Sequence, residues 1–144
     1  MRQAIALAKE AAEEGVVPVG AVVVFVGKIV GKGRNRREIS KNALAHAEIE
    51  AINEACRALG GWRLWQCDIY VTLEPCPMCT GAIINSRIKR LVYGASDYKA
   101  GSCGSVIDLF SLPYNHKPEV AKGVMQEECA ALLSDFFKKL RKKL

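Results

Sequence analysis

The chain has 144 residues and a mass of 15.7 kDa; half of its residues are hydrophobic, a quarter are charged and the formal net charge is +6. That length suits a single domain over residues 1–144, able to bury about 68% of the surface its unfolded chain would expose, and the apolar content excludes disordered, collagenous and low-complexity classes. The longest apolar stretch, near Val19–Val26, falls far short of the roughly 18–20 residues of a membrane span, and Met1–Ile5 runs into Lys9, Glu10, Glu13 and Glu14 rather than a secretory signal, so a soluble cytoplasmic protein is expected.

Residues 1–14 read as a helix: Ile5, Ala8 and Ala12 follow helical spacing, Lys and Glu fill the other side, and Gly15 is a stop. The β-branched run from Gly20 to Val26 and the segment Lys28-Ile29-Val30-Gly31, joined near Val26-Gly27, predict a hairpin. Its first strand is apolar on both faces (Ala21, Val23 and Phe25 against Val22 and Val24), which requires cover on both sides. Residues 32–45 are polar and basic and read as a surface loop. Residues 45–59 predict a helix whose buried stripe is Ile49, Ile52, Cys56 and Leu59, ended by Gly60-Gly61. Further strands are expected at Asp68–Thr72, Arg90–Gly94 and Glu119–Met125, and further helices at about Cys76–Ser86 and Glu127–Lys142. Alternating strands and helices predict a three-layer α/β/α domain, its sheet of about five strands mixed, with the first pair antiparallel.

Charge is unevenly placed. Lys138, Lys139, Arg141, Lys142 and Lys143 carry five of the excess positive charges, and Lys28, Lys32, Arg34, Arg36, Arg37 and Lys41 form a second basic group. Both suit a polyanion such as RNA or DNA, and a solvated basic face explains them as well. Of six cysteines, only Cys76 and Cys79 form a tight pair, which together with the scarce histidines (His46 and His116) directs attention to metal or redox chemistry.

Two segments carry chemistry: His46-Ala47-Glu48 opening one helix and Pro75-Cys76-Pro77-Met78-Cys79 opening another. Cysteines at i and i+3 share a helix face within reach of one tetrahedral ion, and a helix N-terminus stabilises thiolate over thiol. With His46 as a third ligand, two sulfurs and one nitrogen favour Zn²⁺ over Mg²⁺ or Ca²⁺. Three protein ligands leave one position open for a water that the metal makes acidic, the pattern of catalytic rather than structural zinc. Residues i and i+2 of a regular helix point nearly opposite ways, so Glu48 shares the site only if His46 stands at the N-terminal edge. Glu48 is then a proton carrier, not a ligand.

These two segments resemble the H-x-E…P-C-x-x-C signature of the zinc-dependent nucleobase deaminases, the cytidine/deoxycytidylate deaminase superfamily. Within it, Pro18–Val22, Ala45–Glu48, Tyr70–Cys76, Ser86–Ile88 and Leu132–Phe137 are most similar to the bacterial tRNA-specific adenosine deaminases, over nearly the whole chain. The resemblance implies a cytidine-deaminase-like fold and a hydrolase that converts the wobble adenosine of a tRNA anticodon to inosine. It implies His46, Cys76 and Cys79 as zinc ligands and Glu48 as the catalytic proton shuttle. It further implies Asn35 and Ala47 as contacts to the flipped-out base, and Asp97 and Lys99 as contacts to neighbouring nucleotides. Asn115 and His116 would follow the same RNA path. The partners implied are the tRNA anticodon stem-loop and a second copy of the chain in a homodimer.

Two other function classes fit parts of the sequence: a deaminase of free bases or nucleotides (guanine, cytosine or deoxycytidylate), and a non-catalytic RNA-binding module stabilised by zinc. The latter calls for a fourth ligand from Cys67, Cys103 or His116 and no role for Glu48. A thioredoxin-like redox pair leaves His46 and Glu48 unexplained. Cys56 and Cys129 lie on apolar helix faces as packed thiols, and Trp62, Trp65 and Phe136 are read as core or dimer-interface residues.

Overall fold

Val26 and Gly27 both adopt positive φ, 48° and 75°, and this two-residue turn has the handedness that folds adjoining strands into a twisted hairpin. The computed structural model, which describes residues 1–143, pairs β1 (Gly20–Phe25) antiparallel with β2 (Lys28–Arg34) on one side and β3 (Cys67–Leu73) on the other. β4 (Arg90–Ala95) and β5 (Glu119–Lys122) continue the sheet parallel to β3, in the order β2-β1-β3-β4-β5. The expected five-stranded mixed sheet with an antiparallel first pair is present. α1 (Arg2–Glu13) and α5 (Gln126–Lys142) cover one face, and α3 (Ala47–Leu59) and α4 (Pro77–Asn85) cover the other.

Strand alternation divides the core accordingly. Ala21, Val23, Ile69, Val71, Leu91 and Tyr93 pack with Ala51, Ala55 and Ile83 of α3 and α4. Ile5, Ala95 and Cys129, with Leu73 and Leu132 against them, form the smaller layer under α1 and α5. Each large apolar side chain fully buried there contributes about 1.5–3 kcal/mol relative to exposure. Among the described residues no helix is long and apolar enough to cross a membrane.

Several expectations need correction. Residues 32–45 are not one loop: β2 runs on to Arg34, and a single turn of helix, α2 (Arg37–Ser40), follows. Arg34 reaches Glu14 at 2.6 Å and Arg36 lies 3.4 Å from Glu50, so part of the basic group is neutralised internally. Of the expected stripe of α3 only Ile52 is buried; the other buried residues are Ala47, Glu48, Ala51 and Ala55, while Ile49 and Cys56 are half-buried and Leu59 is exposed. A short 3₁₀ turn at Leu109–Ser111 had no expected counterpart. Trp62 and Trp65 are 52% and 61% exposed and are not core residues.

The stripe is rotated because β2 and α3 meet backbone to backbone. A Cβ on Gly33 would lie 2.0 Å from the Ala47 carbonyl oxygen, and one on Gly31 would lie 2.1 Å from that of Ala51. Only small residues allow this approach, which sets where α3 begins. Gly33→Ala is therefore expected to destabilise the fold by about 1–3 kcal/mol or more, since backbone, unlike a side-chain tip, cannot swing aside. Gly60→Ala, at the left-handed C-cap (φ 71°) with open space around it, is expected to cost only about 1 kcal/mol. Thermal unfolding of the two variants checks the contrast.

Candidate active site

His46 is the N-cap of α3, with extended backbone (φ −81°, ψ 153°). Leaving helical geometry at that residue turns its ring to the same side as Glu48, two positions on. Cys76 is likewise the N-cap of α4, with Pro77 at the first helical position, where a missing N–H does no harm. Both helices start at the same end of the sheet. The Nδ1 atom of His46 lies 3.6 Å from the sulfurs of both Cys76 and Cys79, and the three donor atoms fall within 4.8 Å of one another.

That spacing fits a tetrahedral ion. Zinc bonds of about 2.3 Å to sulfur and 2.0–2.1 Å to nitrogen, at tetrahedral angles, require N···S separations of ~3.5–3.6 Å. Among the described residues no other group of three or more His, Cys, Asp or Glu has this closeness. Cys67, Cys103 and His116 are not part of it: Cys103 Sγ contacts Thr80 Oγ1 at 3.4 Å, and His116 Nε2 lies 2.7 Å from the Ile88 carbonyl oxygen. No disulfide joins Cys76 and Cys79.

The electrostatics of the cluster follow from its tightness. Hydrogen bonding from Cys79, helped by His46, brings Cys76 down to about 4, against the effect of burial. Cys79 is pushed up by its neighbour Cys76 and by burial, and His46 is raised chiefly by Cys76. Glu48 is only 4% exposed. Burial pushes its carboxyl up to about 7, with the negative charge of Cys76 adding to the rise and the backbone N–H and His46 opposing it. A carboxyl near neutrality is suited to taking and returning a proton.

His46, Glu48 and Cys76 line a pocket of about 200 Å³ together with Val17, Val19, Asn35, Leu73, Glu74, Asp97, Ala100 and the exposed Arg37.

The sequence profile of the MafB19-like deaminases matches residues 1–141. The chain is 50% identical over 144 residues to the tRNA-specific adenosine deaminase of Bacillus subtilis (strain 168), covering 99% of this chain and 89% of that one. It also superposes with a TM-score of 0.90, at 45% identity, on a solved structure from a study of A-to-I editing by tRNA:A34 deaminases, covering 92% of this chain and 97% of that one. This chain belongs to the tRNA-specific adenosine deaminase family. The guanine deaminase of Bacillus subtilis is more distant, at 33% identity and a TM-score of 0.66 over 98% of this chain and 90% of that one.

In this deaminase the residues expected to meet the substrate are distributed unevenly. Asn35, Ala47 and Asp97 line the pocket; Lys99 does not, and is exposed. Asn35 also holds its own loop: Nδ2 donates to the Val17 carbonyl at 3.1 Å, and Oδ1 accepts from the Arg37 N–H at 3.1 Å. Asp97 Oδ1 accepts from the Lys99 and Ala100 N–H groups. Asn115 is exposed, whereas His116 is directed at the Ile88 carbonyl. Sequence reasoning missed the pocket walls Val17, Val19 and Leu73 and the edge residue Arg37. It also missed Glu74, whose one signal was an acidic residue at the end of an apolar strand.

Proposed function

We propose that this chain hydrolyses the C6 amino group of adenosine at the wobble position of a tRNA anticodon, releasing ammonia and leaving inosine, and that residues 1–144 act as one deaminase domain. His46, Cys76 and Cys79 would hold Zn²⁺, which supplies the Lewis acidity that makes water nucleophilic at neutral pH. Glu48 takes the proton of the attacking water and delivers it to the adenine ring nitrogen beside C6. The same carboxyl then takes the proton of the new C6 hydroxyl and hands it to the amine as the C6–N bond breaks, leaving the C6 carbonyl of inosine and free ammonia, so its near-neutral position serves both directions. Asn35 and Ala47 orient the base. Asp97, Lys99 and the guanidinium of Arg37 face the flanking nucleotides, which a single-stranded anticodon loop can splay apart.

The observation that carries this reading is one buried carboxyl beside an N, S, S donor set that opens, through His46 and Cys76, onto an accessible pocket. A structural zinc site has no use for that carboxyl, and among the described residues no fourth donor of the kind completes the cluster. The exposed Trp62 and the groove formed by Ile49, Ile52, Cys56 and Ala82 are apolar. They support a homodimer through the α3 and α4 face rather than a second RNA surface. A cytoplasmic location accords with a tRNA substrate.

Incubating the protein with tRNA, an anticodon stem-loop, guanine and cytosine tests the substrate class. The two RNAs are expected to gain about one dalton, the mass change of deamination, at a single adenosine. Conversion of a free base alone would replace this reading with that of a nucleobase deaminase.

A further inference from the structure

Glu74 joins the end of β3 to the Pro75–Cys79 segment, is 2% exposed, and takes no part in the steps above. Its carboxylate accepts four hydrogen bonds. Oε1 receives the Asp97 N–H at 3.0 Å and the Ser105 hydroxyl at 2.5 Å; Oε2 receives the Cys103 N–H at 3.0 Å and the Ser105 N–H at 3.1 Å. Among the described residues no Lys, Arg or His forms an ion pair with it. Residues 97–105 wrap around this one acid, and Gly101 closes the wrap: a Cβ there would lie 2.4 Å from both Glu74 Cδ and the Asp97 carbonyl oxygen. The Ser102 N–H adds a tie to the Pro75 carbonyl at 2.9 Å.

We propose that Glu74 is a positioning residue for the substrate wall. Its carboxylate fixes the backbone of Asp97–Ser105 against Pro75–Cys76, so that Asp97 and Ala100 stand at a set distance from Glu48 across the pocket. The proposal rests on the reading that nucleotides lie against this wall. The chemistry demands a carboxylate: four donors converge on two oxygens that only accept. A glutamine in its place would turn an NH₂ toward N–H and O–H donors and leave buried groups unpaired.

The test compares Glu74→Gln and the milder Ser105→Ala with the unaltered protein. The readouts are metal content, amide hydrogen exchange over residues 97–105, and kcat and KM on an anticodon stem-loop. In Glu74→Gln, exchange over 97–105 is expected to rise at least about tenfold, because the lost bonds are to a charged group. KM is expected to rise about tenfold with a smaller change in kcat, the signature of weakened substrate positioning. Metal content stays unchanged. Ser105→Ala moves the same quantities less, and decides the matter should Glu74→Gln fail to fold. Unchanged exchange and KM overturn the proposal, as does a loss of metal with a matching fall in kcat, which would assign Glu74 to the cysteine segment. If the unaltered protein leaves the stem-loop unconverted, the functional reading fails, and the exchange data still decide whether Glu74 holds the wall.

Discussion

Replacing Glu48 by Gln is expected to lower kcat on the anticodon stem-loop by about 10²–10⁴-fold, the range that a positioned general acid–base contributes. That corresponds to about 3–5 kcal/mol of transition-state stabilisation. Glu48 is buried, and its carboxyl is held near 7, where protonated and ionised forms are both accessible. Gln has the same shape and fills the same space, so the pocket and the three donor atoms beside it stay in place, yet an amide cannot take up a proton at neutral pH. Metal content and RNA affinity should therefore remain within about twofold of the parent, separating loss of chemistry from loss of binding. Single-turnover assays with fluorescence-detected RNA binding make the distinction. A variant that turns over normally would leave the carboxyl without a role in the chemistry, whereas a parent that binds the stem-loop without converting it, and binds it equally well as Glu48→Gln, would favour a non-catalytic RNA-binding module.

What could be read from the chain alone was local. Pro77 at a first helical position follows from the capping rules, and His46 at a helix edge from its spacing to Glu48, two residues on, since the two can share a site only there. The hairpin at Val26-Gly27 and the Gly60 stop are likewise set by backbone conformations at single positions. The long-range consequences were hidden. Hydrophobic periodicity picks out Ile49, Ile52, Cys56 and Leu59 of α3, but Gly31 and Gly33 let β2 meet the helix backbone at Ala47, Ala51 and Ala55, and that approach turns the alanines inward. Glu74 gave little sign of its role because its four hydrogen bonds come from residues 23 to 31 positions away. Asn35, expected at the base, lines the pocket and also accepts the Arg37 N–H within its own loop. His116, placed on an RNA path by resemblance, has a ring nitrogen at hydrogen-bond distance from a backbone carbonyl. Sequence shows which groups have unusual chemistry; the register of the sheet decides which of them meet.

Removing one of the three donors should have an effect as large as removing the proton carrier, by a different route. Cys79 is fully buried, with its sulfur 3.6 Å from His46 Nδ1, so no solvent ligand can readily take its place in Cys79→Ala. Changes to groups that merely support metal ligands weaken binding by about 10–100-fold, and loss of a ligand itself is expected to exceed that. The purified variant should carry little metal and show no measurable conversion of the stem-loop, and adding zinc should restore little. Chelation of the unaltered protein should abolish activity reversibly. It should do so faster in acid, because thiolate and neutral imidazole are the binding forms and protons compete for them as pH falls. Cys103→Ser supplies the contrast: Cys103 is also buried and lies near the site, but its contact is with Thr80, and this variant should keep its metal. Metal analysis of the two variants side by side separates an open three-donor site from a closed one. Were Cys103→Ser to lose the ion as well, the sulfur at 103 would be a fourth ligand, no position would remain for water, and a structural site would be the better description.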